Sequence, residues 1–179
     1  MLNKRHLFFA VVALFVVAVI WWSTDGEGAC RVKTTTKTIN GDSLSGLAED
    51  GQRATVKEGY YFCNEVLRGD MVIYRYAGTT PLIKVVSGVA GDVFALQKVK
   101  DGQYYLLLNN QVAQNSQGRP YLLGADQHQM LSLYVRDFKG VIPKDSYLIL
   151  GNLTGGSSDS TEFGLVSKTD FIGKVTRIR

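Results

Sequence analysis

Histidine, cysteine and proline are scarce: 2 His, 2 Cys and 3 Pro in 179 residues. Two cysteines exclude a disulfide-stapled miniature scaffold and a cysteine-rich zinc module. His6 precedes a long apolar run, so His128 is the only imidazole left for the rest of the chain. Chemistry that needs two imidazoles is excluded there. No H-E-x-x-H or paired-cysteine pattern supplies metal ligands, so neither metal nor cofactor is expected. A dominant charge is lacking too: 20 Lys+Arg stand against 16 Asp+Glu, a net charge of +4. No basic run is interleaved with aromatics, so no nucleic-acid partner is expected. The 45% hydrophobic content is enough for a core and excludes a disordered chain. The length suits one domain with a small insert.

The single long apolar run is Leu7 to Trp22, 16 residues. It covers ~24 Å, and His6, Ser23 and Thr24 extend it toward a ~30 Å hydrocarbon core. Lys4 and Arg5 precede it, and Asp25 and Glu27 follow. The positive-inside rule then makes 1–6 cytoplasmic, 7–24 a transmembrane anchor and 25–179 extracytoplasmic. The expectation is a single-pass protein of the cell (inner) membrane, with the lipid bilayer as a partner. The rival reading is a cleaved signal peptide ending near Gly26-Glu27-Gly28, against which the double Trp and the acidic pair argue. A lipoprotein site at Cys30 is weaker, because Glu27 stands where an aliphatic residue is wanted. All readings put the remaining chain outside the cytoplasm. There Cys30 and Cys63 could form one disulfide; the alternative is two buried thiols.

Beyond the anchor no long 3.6-residue periodicity is evident. Short β-branched and aromatic runs are bounded by Gly, Asn and Asp. Strands are expected at Met71–Tyr76, Leu82–Ser87, Val93–Val99, Tyr104–Leu108, Tyr147–Leu150 and Ile172–Ile178. Asn109-Asn110 reads as a hairpin turn, since Asn tolerates positive φ. The pattern predicts a mainly β fold, an antiparallel sheet folded on itself. The polar stretch from Gln111 to Lys139 reads as part of an insert or side subdomain, about 97–140.

Gly41-Asp42-Ser43-Leu44 spells GDSL, the nucleophile block of a lipase/esterase family. That family's D-x-x-H is missing, and Asp126-Gln127-His128 has the wrong spacing and place. A Ser-His-Asp triad through His128 stays open, because triads assemble in space, although a surface His is the plainer reading. The other option is a serine with lysine as base. Lysine serves only when neutral. Half-neutralising an ordinary lysine at pH 7 needs ~4.6 kcal/mol, which burial on an apolar face can supply. In Leu82-Ile83-Lys84-Val85-Val86, period 2 puts Leu82, Lys84 and Val86 on one face. The same pattern also suits an edge-strand lysine that blocks aggregation.

The order of motifs resembles the type I signal peptidases, membrane-anchored Ser/Lys peptidases that remove signal peptides. Gly41-Asp42-Ser43-Leu44 is similar to the family's G-x-S-M box. Leu67-Arg68-Gly69-Asp70-Met71-Val72 is similar to its R-G-D-I-V strand. Ile83 to Asp92 (IKVVSGVAGD) resembles the lysine box I-K-R-V-x-G-x-P-G-D. Gly151 to Gly164 (GNLTGGSSDSTEFG) resembles G-D-N-R-x-N-S-x-D-S-R-x-x-G. The resemblance covers roughly Ile39 to Lys174. It implies a signal-peptidase-like antiparallel β-sheet catalytic domain with a small inserted subdomain, behind one N-terminal transmembrane helix.

By that resemblance Ser43 is the nucleophile and Lys84 the general base. Ser157 falls at the serine that orients the lysine, and Asp159 and Ser160 at the D-S pair beneath the site. The Ser43 N–H would serve the oxyanion hole, with Gly41 and Asp42 (or Asn40) at its edge. The implied substrate is an exported preprotein with small residues at −1 and −3. Some positions depart from the pattern. Ser45-Gly46-Leu47 replaces x-P-T-L and is closer to the conjugative-transfer branch, which matures pilins or secretion subunits with the same dyad. Secretion or conjugation machinery then joins the expected partners. Asn152 and Thr154 replace the Asp and Arg of G-D-N-R, and Val85 and Thr161 replace arginines. Asp159 therefore lacks its usual cations and is expected to use hydroxyl or backbone donors, from Ser157, Ser158 or Thr161. A third reading is an inactive, membrane-tethered β-domain that binds an envelope partner.

Overall fold

The chain divides into two units, Met1–Cys30 and Arg31–Arg179. A computed structural model describes residues 30–77 and 80–179. The expected cytoplasmic stretch 1–6 and anchor 7–24 lie outside the described residues. Among the described residues no helix is long and apolar enough to cross a membrane. Cys30 and Cys63 are both disulfide-bonded, the first of the two states considered from the sequence.

The second unit is built on antiparallel sheet. Seven strands pair in the order β1 (Lys33–Thr38), β2 (Arg53–Glu58), β11 (Phe171–Ile178), β3 (Met71–Tyr74), β4 (Leu82–Gly88), β9 (Ser146–Leu150), β10 (Val166–Ser167). A smaller sheet joins β5 (Phe94–Lys98), β6 (Tyr104–Leu108) and β7 (Gln111–Val112), and β8 (Leu122–Leu123) pairs with β6. The six strands expected from sequence are present, with ends displaced by a residue or two. Leu108 pairs with Gln111, and Asn109 and Asn110 take φ of 51° and 65°. That is the two-residue hairpin turn that asparagine allows.

Two expectations need correction. The chain does contain a helix of real length, α1 (Ala125–Asp137). Leu131, Tyr134 and Val135 follow the i, i+3, i+4 spacing of a core-facing stripe, which the polar Asp126-Gln127-His128-Gln129 turn conceals. Leu131 is fully buried against Phe94, Leu106 and Leu123, worth about 1.5–3 kcal/mol. Strands β1 (KTTTKT) and β2 (RATVKE) also escape a search for apolar runs. Only one face of β2, carrying Ala54 and Val56, is buried.

The sheet positions the site by alternation. On β4, Lys84 and Val86 are buried while Ile83 and Val85 are half-exposed. Val86 packs with Val72 and Ile149. Ile83 and Val85 lie against a second cluster that contains Ile39, Leu44, Ala48 and Ile73. The R-G-D and lysine boxes are clasped together where Arg68 grips both carboxylate oxygens of Asp92.

Candidate active site

Residues 42–48 form a single tight turn between β1 and β2. Ser45 N–H donates to the Asp42 carbonyl, and Leu47 and Ala48 N–H both donate to the Leu44 carbonyl. Leu44 and Ala48 are one helical turn apart and both buried, so they root the turn in the core, with Ser43 half-buried beside them. Gly41 enters the turn at φ 87°, in the left-handed region where glycine carries no steric penalty. Its N–H donates to Asp50 Oδ1 at 2.7 Å. Asp42 is exposed and contributes its carbonyl to the turn.

Lys84 reaches this turn from β4. Its Nζ donates to Ser43 Oγ at 2.8 Å. Lys84 is only 2% exposed. Burial pushes its ammonium below the ordinary value of 10.5, while the charges of Asp159 and Glu162 push the other way. The geometry is a hydroxyl in contact with an amine whose neutral form is favoured by desolvation. A cleft of ≈ 610 Å³ opens beside the pair, walled by Ile39, Leu44, Ile73, Leu82 and Ile83.

The segment after β9 lies beneath. Ser160 Oγ accepts from Ile149 N–H at 2.9 Å and is fully buried. Asp159 is 2% exposed. Its Oδ2 accepts from Gly151 N–H at 2.9 Å, and its Oδ1 from Thr161 N–H at 3.0 Å and Thr161 Oγ1–H at 2.7 Å. These are the hydroxyl and backbone donors expected from Thr161, which stands where the family pattern has arginine. Desolvation still raises the Asp159 pKa, and the donors and Lys84 oppose that rise. Asp159→Ala strands the buried N–H groups of Gly151 and Thr161. It should cost about 2–4 kcal/mol, measured as a lower urea midpoint at unchanged m-value.

Ser157 departs from its expected contact. Its Oγ is buried and, among the described residues, is the one buried side-chain polar atom without a hydrogen-bond partner. It packs against the Cα of Gly151. His128 is not brought to Ser43: its ring stacks on Tyr104, centroids 3.6 Å apart.

Several supporting residues were not anticipated. Gln127 Nε2 donates to Thr161 Oγ1 at 3.0 Å, which ties α1 to the Asp159 cluster. Tyr121 OH donates to the Gly151 carbonyl. Asn115 and Ser116, in the loop between β7 and β8, bond to Asn152. In sequence Asn115 and Ser116 are ordinary polar loop residues. Their one sequence signal is Asn152, which replaces the Asp of the family box.

The family model described as signal peptidase, peptidase S26, matches residues 5–178. Signal peptidase IB of Staphylococcus aureus strain Mu50 is 29% identical over 184 residues, covering 97% of this chain and 89% of its own. Signal peptidase I V of Bacillus subtilis strain 168 is 25% identical over 140 residues, covering 77% and 81%. A crystal structure of a signal peptidase I from Enterococcus faecalis V583 aligns with a TM-score of 0.43 at 18% identity, covering 63% of this chain and 98% of that one. The chain belongs to the signal peptidase family, peptidase S26, and is a serine peptidase of the kind that removes signal peptides.

Proposed function

We propose that this protein is a membrane-anchored endopeptidase that uses Ser43 as nucleophile and Lys84 as general base. The observation that carries the reading is the 2.8 Å contact between Lys84 Nζ and Ser43 Oγ, made by a lysine that is 2% exposed. A neutral amine keeps one lone pair, which takes the hydroxyl proton as Oγ attacks the scissile carbonyl. The resulting ammonium returns that proton to the leaving amine. Lys84, neutral again, activates the water that releases the acyl group. The Ser43 N–H at the mouth of the turn, beside Gly41 and Asp42, stabilises the oxyanion. Asp159 and Ser160 hold the floor of the site, and Ser157 packs against Gly151.

Residues 7–24 anchor the chain, with 1–6 cytoplasmic and 25–179, including an insert at about 97–140, on the extracytoplasmic side of the cell membrane. The substrate is an exported preprotein lying extended beside Ser43. The family resemblance implies small residues at −1 and −3; alternate side chains of an extended peptide point the same way, so both would face the aliphatic cleft.

The test is cleavage of a preprotein panel by the detergent-solubilised full chain, with Ser43→Ala alongside. The panel holds secretory signal peptides and pilin-like precursors. Cleavage after a small residue, lost in Ser43→Ala, supports the reading, and the preferred precursor separates general processing from dedicated pilin maturation. Folded wild type that cleaves no member of the panel contradicts it and favours the non-catalytic binding domain.

A further inference from the structure

We propose that Asn152 is a positioning residue for the nucleophile, a strut that holds the Ser43 turn in place and couples it to the β7–β8 loop. The proposal rests on the reading of Ser43 as nucleophile.

A one-turn segment leaves carbonyls without helical partners. The Leu44 and Asp42 carbonyls are used inside the turn; those of Ser43 and Ser45 are not. Both are taken by the 151–153 segment. The Ser43 carbonyl accepts from Asn152 N–H at 2.6 Å and from Leu153 N–H at 3.3 Å. The Ser45 carbonyl accepts from Asn152 Nδ2 at 2.7 Å. So the carbonyls on either side of Leu44 both rest on one residue.

Asn152 is itself held from the other side. Its Nδ2 also donates to Ser116 Oγ at 2.8 Å, and its Oδ1 accepts from Ser116 N–H at 2.9 Å. Its backbone carbonyl accepts from Asn115 Nδ2 at 2.8 Å. It is 3% exposed, so none of these bonds has a ready substitute in water. The residue before it is clamped at both ends, by Asp159 at Gly151 N–H and by Tyr121 at the Gly151 carbonyl. The strut therefore stands on the floor of the site and meets the second sheet.

The chemistry explains the residue type. The side chain faces two acceptors, a carbonyl and a hydroxyl, and one donor, a backbone N–H. A carboxamide supplies two N–H and one C=O in that arrangement. A carboxylate has no hydrogen to offer and would set an anionic oxygen against the Ser45 carbonyl. The aspartate of the family box does not fit this site, although it matches asparagine in size.

The turn sets the Ser43–Lys84 distance, and misplacement of a reacting group by about 1 Å can cost ~10²-fold in rate. The experiment measures kcat and KM on one cleaved preprotein for the full-length wild type, Asn152→Asp, Ser116→Ala and Ser43→Ala, with thermal melting in parallel. Asn152→Asp should lose roughly 10–100-fold in kcat with KM within about threefold, because the cleft itself is untouched. Ser116→Ala should lose severalfold in kcat, and adding it to Asn152→Asp should cost little more, as expected of residues acting through one network. Folded Asn152→Asp with wild-type kcat overturns the proposal, as does a loss confined to KM. If Asn152→Asp does not fold, Ser116→Ala decides: wild-type kcat there overturns the proposal. Cleavage that survives Ser43→Ala overturns instead the underlying reading of the nucleophile.

Discussion

Lys84→Met should abolish preprotein cleavage and make the protein more stable. The two effects share a cause. Removing a general base typically costs 10²–10⁴-fold, and methionine keeps the length and apolar stem of lysine without its lone pair on nitrogen. Stability moves the other way because burial lowers the Lys84 pKa from its ordinary 10.5. Between the folded and unfolded values the unfolded chain binds more protons, so wild-type stability rises with pH there. The penalty of the buried amine is full below the folded value and gone above about 10.5. The gain in Lys84→Met is therefore largest below the folded value and shrinks as pH approaches 10.5. Each 1 kcal/mol recovered should raise Tm by roughly 2–4 °C in a domain of this size. Thermal melts at pH 7 and pH 10, with cleavage assays on the same samples, check both halves. A variant that cleaves like wild type, or that melts lower at pH 7, contradicts the assignment.

Gly151→Ala should reduce cleavage about 100-fold or more through a single methyl group. A Cβ there would run into Ser157 Oγ and stand 2.8 Å from the Ser43 carbonyl oxygen. The hydroxyl can rotate, but the carbonyl belongs to the nucleophile turn and moves only with Ser43. Overpacking of this kind costs about 1–3 kcal/mol, so the variant should fold with a lower urea midpoint. Ser157→Ala should restore little of its activity, because the backbone clash remains. Full rescue by Ser157→Ala would show instead that the hydroxyl alone is crowded.

The chemistry of this chain is more legible in its sequence than its scaffolding is. Lys84 stands out because a cation interrupts an aliphatic strand, and its burial follows from period 2. Asn109-Asn110 announces its turn because few residues accept positive φ. Asp159 shows how a departure can be read: without arginine it needed other donors, and Thr161 supplies both an N–H and an O–H. What escaped is structure held by tertiary contact rather than by local pattern. Strand β1 has no buried apolar residue of its own, and it is a strand because β2 pairs with it along its whole length. Helix α1 buries a narrow stripe behind a polar first turn. Asn115, Ser116 and Asn152 matter through bonds spanning 36 to 107 positions, which no local window reports. Asn152 looked like a lost aspartate until its partners were seen to need donors.

The central claim, that neutral Lys84 takes the proton of Ser43, is tested most directly by the pH dependence of kcat/KM on one preprotein. The account predicts a rise toward alkaline pH along a single ionisation with its midpoint below 10.5. Glu162 raises the Lys84 pKa through its charge and is itself exposed. Glu162→Gln should therefore move that midpoint to lower pH and leave the plateau in place. A midpoint unmoved by Glu162→Gln, or one that disappears in His128→Ala, would contradict it.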